Sequence, residues 1–294
     1  MRYLLLLLFF PLYGNHLIIH MDINRTIIAS DATQNLGLTS VVNLSLAKKY
    51  VDIWEEGLVP MSYFDYIYLV KHPGVRSDQQ LRRLRRNTIH DFIDHLEKIN
   101  HPRYAEALTT LQKAESTMEG RFIFPSFYKL LGWLEENNIS HSLVFRTFGT
   151  DLEKIAATLG WDIPKASFRD GKLHTENGVI DDPLAMLHFF QARRVLGIQD
   201  DYFYWNKHKE LKEYGKQFPL LLSGSTKSIF FDDNIEFDPE VNIVAPYDAQ
   251  TKEALKILPL IEREVLIPVI TVDAILDEDY FIHYLEGILS KPFS

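Results

Sequence analysis

The chain has 294 residues, enough for one large domain or two modest ones. Its 46% hydrophobic and 24% charged content are those of an ordinary globular protein, and its net charge of −9 argues against nucleic acid or an anionic membrane as a main partner. There is no cysteine, which excludes thiol catalysis, disulfides and cysteine-ligated metals, and which is compatible with an oxidising compartment.

Met1-Arg2, an apolar stretch and Gly14 read as a secretory signal peptide over residues 1–14, although Leu12 stands where a small residue is usual before the cleavage site. The stretch is too short for a stable membrane span. On this reading the protein is secreted or periplasmic once the segment is cleaved, and cytoplasmic otherwise. Leu17 to Ile19 then lead through His20 and Met21 to Asp22, a buried strand delivering a carboxylate to a sheet edge. Ligands of open α/β sheets bind outside the carboxyl ends of the strands, so Asp22 is the first candidate for chemistry.

The pattern next turns helical. A helix is expected over 41–58, an ambiguous aromatic run over 61–70, and a break at His72-Pro73-Gly74. Residues 77–99 read as one amphipathic helix capped by Ser77, with Gln80 at the capping-box position. Its basic run, Arg82-Arg83 and Arg85-Arg86, reads as a solvated face. Another helix is expected over 102–117, so residues 35–118 form a helical insertion without a strand. From Phe122 an α/β alternation resumes: helix 126–139, strand 142–149, helix 151–161, a hairpin over 166–180 turning at Asp170-Gly171, and helix 182–197. Strands follow over 228–237 and 241–246, and residues 249–291 read as mostly helix.

Two strand ends carry further chemistry. Thr147, followed by the backbone N–H groups of Phe148 and Gly149 ahead of a helix, makes an anion cradle. Asp232 and Asp233 close a run of apolar residues. Adjacent buried carboxylates repel and lose solvation, and a divalent cation is their natural partner; Mg²⁺ takes one or two carboxylates plus phosphate and water.

Asp22-Ile23-Asn24-Arg25-Thr26 resembles the first motif, DxDxT, of the haloacid-dehalogenase-like phosphohydrolases. Thr147 is similar to that superfamily's second motif and Asp232-Asp233 to its acidic fourth. Gly215-Lys216-Gln217 resembles its Gly-Lys-Pro element with Gln217 replacing proline; Lys227 and Lys207 are alternatives for the motif lysine. The motifs occur in the superfamily's order and span residues 16–34 and 121–246. The resemblance implies a Rossmann-like α/β core with a mainly parallel sheet, residues 15–34 and 119–294, and an all-helical cap inserted over 35–118. It implies a Mg²⁺-dependent phosphohydrolase or phosphotransferase acting on a small phosphorylated substrate. Asp22 would be the nucleophile and form an aspartyl phosphate. Lys216 would neutralise Asp22 and, with Thr147 and Phe148, hold the phosphate. Asp22, the backbone carbonyl of Asn24, Asp232 and Asp233 would bind the cation.

The departure is Asn24. The superfamily's phosphatases place their general acid and base at this position, and a carboxamide exchanges no proton at neutral pH. Nucleophile and cation ligands survive, so the expected loss lies in turnover. The alternatives are a substrate whose leaving group needs no proton, such as an acyl phosphate, a substitute acid such as Asp31 or a cap histidine, or a protein that binds phosphorylated ligands or partners without turnover.

Overall fold

The computed structural model describes residues 16–29, 37–75, 78–238 and 240–290. The signal segment expected over 1–14, Ser77 and Asp31 lie outside them. Strand β1 (His16–Asp22) is buried from Leu17 onward. Its side chains alternate between two apolar clusters, Leu17, Ile19 and Met21 facing one and Ile18 the other. This two-sided burial is why the strand reads as a continuous apolar run.

The next segment is helical with one small ribbon. Helix α1 (Leu38–Lys49) ends nine residues short of the helix expected over 41–58. Two-residue strands β2 (Val51–Asp52) and β3 (Met61–Ser62) follow and pair antiparallel, contrary to the strand-free expectation. Then come α2 (Tyr63–Tyr66), a π-helical turn at Ile67–Lys71, α3 (Gln79–His90), α4 (Phe92–Lys98) and α5 (Tyr104–Met118). The single helix expected over 77–99 is therefore broken at Asp91, and its cap is Asp78, whose carboxylate accepts from the Gln80 and Leu81 N–H groups at 2.8 and 3.0 Å. The basic face is not uniformly solvated. Arg85 is fully buried, donating to the carbonyls of His72 and Gly74, and Arg82 pairs with Glu210 and Tyr202.

Beyond it lie α6 (Pro125–Glu136), β4 (His141–Thr147), α7 (Leu152–Leu159), β5 (Lys165–Arg169), β6 (Lys172–Thr175) and β7 (Gly178–Ile180). The 166–180 hairpin is present, extended by β7. Helix α8 (Pro183–Gln191) stops six residues before the expected end, and strand β8 (Val195–Gln199), a central strand of the sheet, begins inside the expected helix. Gly197 lets α7 pack close there: a Cβ would meet the Leu152 side chain of α7 and push it aside. Helix α9 (Tyr202–Lys207) and a 3₁₀ turn at Lys212–Tyr214 lead to β9 (Lys216–Leu220), a strand with no sequence expectation, and to β10 (Thr226–Asp232). Strand β11 (Val244–Asp248) starts three residues later than expected. Among the C-terminal helices α10 (Ile257–Glu262), α11 (Thr271–Leu276) and α12 (Tyr280–Ser290), a short strand β12 (Leu266–Pro268) closes the sheet edge.

The main sheet has eight strands in the order β12-β10-β1-β4-β8-β5-β6-β7, parallel except at the β6 and β7 edge. The chain builds outward from β1 on the β4 side and later returns to place β10 on the other. The carboxyl end of β1 is thus a topological switch point, where α/β sheets bind ligands. Strands β9 and β11 form a separate parallel pair that packs over this end. The helical segment 38–118 shares a continuous apolar cluster with one sheet face: Val42, Leu46, Phe92 and Met118 are buried with Ile19, Met21, Phe145 and Ile275. Among the described residues no helix is long and apolar enough to cross a membrane.

Candidate functional site

Three strands end together. Asp22 is the last residue of β1, Thr147 of β4 and Asp232 of β10. Registers pair Met21 with Phe231 and Asp22 with Arg146, so Asp232 lies level with Asp22, and Thr147 one residue further along. Carboxylate oxygens of Asp22, Asp232 and Asp233 all lie within 4.8 Å of one another, and all three residues are buried. Oxygen-only donors in this number suit a hard divalent cation.

Lys216 stands between two of the acids. Its Nζ donates to Asp22 Oδ1 and, at 2.6 Å, to Asp232 Oδ2, and the side chain is 1% exposed. The preceding glycine makes this placement possible. Gly215 runs so close to the Ile243 carbonyl that no Cβ fits, and the Lys216 N–H donates to that same carbonyl at 2.6 Å. The alternatives lie elsewhere: Lys227 Nζ donates to the Ile288 carbonyl near the other end of β10, and Lys207 sits on α9.

Asp232 also accepts from the Asn234 N–H at 2.8 Å, a local turn that fixes its second oxygen. Asp233, in the turn after β10, meets two further cations. Arg25 Nε lies 3.4 Å from Asp233 Oδ2, and Lys48, from α1, lies 3.7 Å from it while donating to the Asp233 carbonyl. Arg25 adopts a left-handed backbone (φ 61°) in the tight turn after β1. Three carboxylates are therefore balanced by three cations.

Burial pushes Asp22 well above the usual carboxylate range; the Lys216 charge opposes this, while those of Asp232 and Asp233 reinforce it. Burial raises Asp233 likewise, against Arg25 and Lys48. Burial would lower Lys216, yet the charges of Asp22, Asp232 and Asp200 carry it above the ordinary lysine value. The lysine is held charged, while Asp22 still favours a proton or a cation.

Behind this cluster Arg146 and Asp200 form a fully buried two-pronged pair, with Arg146 also donating to the Gln217 carbonyl at 3.0 Å. His20 sits against Arg146 among Phe190, Phe218 and Phe230, and burial drives its pKa well below the usual value. These groups were not singled out in the sequence, because a lone Arg, His or Asp in an apolar strand gives no pattern.

Asn24 lies beside Thr147. The Thr147 hydroxyl accepts from the Gly149 N–H at 2.8 Å and donates to Asn24 Oδ1 at 3.4 Å, and Asn24 Nδ2 donates to Asp151 Oδ2 at 2.7 Å. Asp151 is a site residue that the sequence did not reveal: standing just before a helix, it looks like an ordinary cap. The ring of Phe148 stacks on Trp205 and meets Tyr202 edge-on, with Lys216 Nζ 5.1 Å from its centroid. Comparison with family models, with curated proteins and with solved structures returns no match.

Proposed function

We propose that the protein is a Mg²⁺-dependent phosphohydrolase or phosphotransferase of the haloacid-dehalogenase-like kind, with Asp22 as nucleophile. The observation carrying this reading is the convergence of Asp22, Asp232 and Asp233 within 4.8 Å at a sheet switch point, with a buried lysine shared by two of them. A structural ion-pair cluster would not need its acids at the carboxyl ends of adjacent strands. Charge supports it too. The three acids and Lys216, Arg25 and Lys48 sum to zero, and a divalent cation arriving with a phosphate dianion keeps that sum.

Asp22, Asp232, Asp233 and the Asn24 carbonyl would hold the cation, which supplies charge stabilisation for the transferring phosphoryl group. Lys216 opposes the proton that burial favours on Asp22 and orients its carboxylate. An Asp22 oxygen attacks phosphorus, the bond to the leaving oxygen breaks, and that oxygen keeps the electron pair. Lys216 and the Phe148 N–H would hold the phosphoryl oxygens, with Thr147 bracing that turn by accepting from the Gly149 N–H. Water then attacks the phosphorus of the aspartyl phosphate and restores Asp22. We assign the helical segment 38–118 the role of a cap: Lys48 reaches Asp233, and Arg82 meets Glu210 and Tyr202 on the core side. Asp22 is only 6% exposed, so substrate entry requires this contact surface to open.

A second reading, a phospholigand-binding or partner-binding protein without turnover, is favoured by one observation: Asn24 has no proton to exchange. Turnover of an aryl phosphate and of acetyl phosphate, with and without Mg²⁺ and in Asp22→Asn, separates the two. Mg²⁺-dependent turnover lost in Asp22→Asn is expected. Tight phosphate binding without turnover would favour the binder.

A further inference from the structure

Asp151 precedes the first residue of α7, where an aspartate ordinarily caps the helix by accepting from its free N–H groups. Its side chain makes no such cap bond. It is buried, and its Oδ2 accepts from Asn24 Nδ2 at 2.7 Å, across 127 positions of sequence. A carboxylate only accepts, so this contact decides which end of the Asn24 carboxamide faces which way: nitrogen toward Asp151, oxygen toward Thr147. The result is an ordered chain from Gly149 N–H through Thr147 and Asn24 to Asp151, tying the ends of β4 and β1 to the head of α7.

This inference rests on the phosphoryl-transfer reading above. We propose that Asp151 is the positioning residue that fixes the orientation of the neutral Asn24 amide. The Asn24–Asp151 pair thereby restricts turnover to phosphoryl donors whose leaving group departs as a stable anion, with acyl phosphates as the substrate class. For an acyl phosphate the bond from phosphorus to the acyl oxygen breaks, and the electron pair stays on the departing carboxylate, which needs no proton near neutral pH. Asp22 takes the phosphoryl group. In the second step water oxygen bonds to phosphorus, the phosphorus–Asp22 bond returns its pair to Asp22, and the water proton leaves with phosphate or to solvent. An alkyl ester would require a proton at the first step, and the pair has none to give.

The test relocates the carboxylate. Asn24→Asp alone sets two carboxylates against each other, whereas Asn24→Asp with Asp151→Asn restores the hydrogen bond with donor and acceptor exchanged. Turnover of acetyl phosphate and of β-glycerophosphate is measured in the wild type, both single variants, the double variant and Asp22→Asn. The wild type should turn over acetyl phosphate far better than the alkyl ester. In the double variant the ratio of alkyl-ester to acetyl phosphate turnover should rise on the order of 10²-fold, more than in Asn24→Asp alone. A purely structural Asp151 would move both substrates together. Asp151→Asn alone keeps the shape, but a carboxamide there donates as readily as it accepts and no longer dictates how Asn24 is turned; its acetyl phosphate kcat should fall roughly 10-fold with KM held. That variant decides the matter if the double variant does not fold. Asp22-dependent turnover of acetyl phosphate with an unchanged substrate ratio in the double variant, or with an unchanged kcat in Asp151→Asn, overturns the inference and leaves the phosphoryl-transfer reading standing. No Asp22-dependent turnover of acetyl phosphate overturns both.

Discussion

Replacing Lys216 with methionine tests whether the buried lysine holds the acidic cluster together. Methionine keeps the aliphatic length and removes the charge. Lys216 is 1% exposed and serves Asp22 and Asp232 at once, so its loss leaves two buried carboxylates facing each other. Removing one partner of a buried ion pair costs about 3–5 kcal/mol. At ~2–4 °C per kcal/mol for a chain of this order of size, the melting temperature should fall by at least ~6 °C at pH 7. The deficit should depend on pH with a definite sign. Burial already raises Asp22 above its unfolded value, and loss of the lysine raises it further. A carboxyl with a raised folded pKa favours the folded state when protonated, and that advantage is lost as pH rises through the folded value. The gap between variant and wild type should therefore be smallest in acid and widen toward neutral pH. Urea unfolding of both proteins across pH 4.5 to 8 measures it. A deficit below about 1 kcal/mol at neutral pH, or one that does not narrow in acid, would refute the claim that Lys216 compensates these two acids.

Gly215→Ala should weaken folding by about 1–3 kcal/mol and lower turnover as well, because the added Cβ meets the Ile243 carbonyl and displaces Lys216 with it; a thermal melt and a turnover assay read the two effects. Mg²⁺ competes with a proton for Asp22, so its affinity should rise as pH climbs through the raised Asp22 value, with proton release detectable by calorimetry in two buffers of different ionisation enthalpy. Inorganic phosphate should tighten Mg²⁺ binding and the reverse, with a coupling of ~1–3 kcal/mol, since the two together leave the charge of the cluster unchanged; independent binding would contradict the charge argument.

The strands that carry chemistry were readable because each is a buried run stopping at a polar residue: Leu17 to Asp22, Leu143 to Thr147 and Ile229 to Asp232. What escaped notice was set by partners distant in sequence. Residues 195–197 read as the tail of a helix, since a short strand containing Gly197 shows neither period; packing of Leu152 against that glycine goes with the strand. Strand β9 begins with a buried lysine and contains Pro219, both contrary to strand composition, and it exists because β11 pairs with it. The break at Asp91 falls inside an unbroken amphipathic pattern. It is fixed by tertiary contact, as the Ile93 N–H donates to the Asn43 side chain of α1. The Asn24–Asp151 bond likewise joins residues that share no motif, so the sequence displayed the missing acid and concealed the carboxylate beside it.

In the proposed reaction Asp22 accepts a phosphoryl group, and the direct measurement is a covalent one. The protein is mixed with acetyl phosphate and Mg²⁺, quenched in acid within the first turnover, digested, and its peptides are weighed. A gain of one phosphoryl group on the peptide containing Asp22, absent with a chelator and absent in Asp22→Asn, is the expected result. Turnover of acetyl phosphate without that adduct, or with the adduct on another residue, would contradict the assignment of Asp22 as nucleophile.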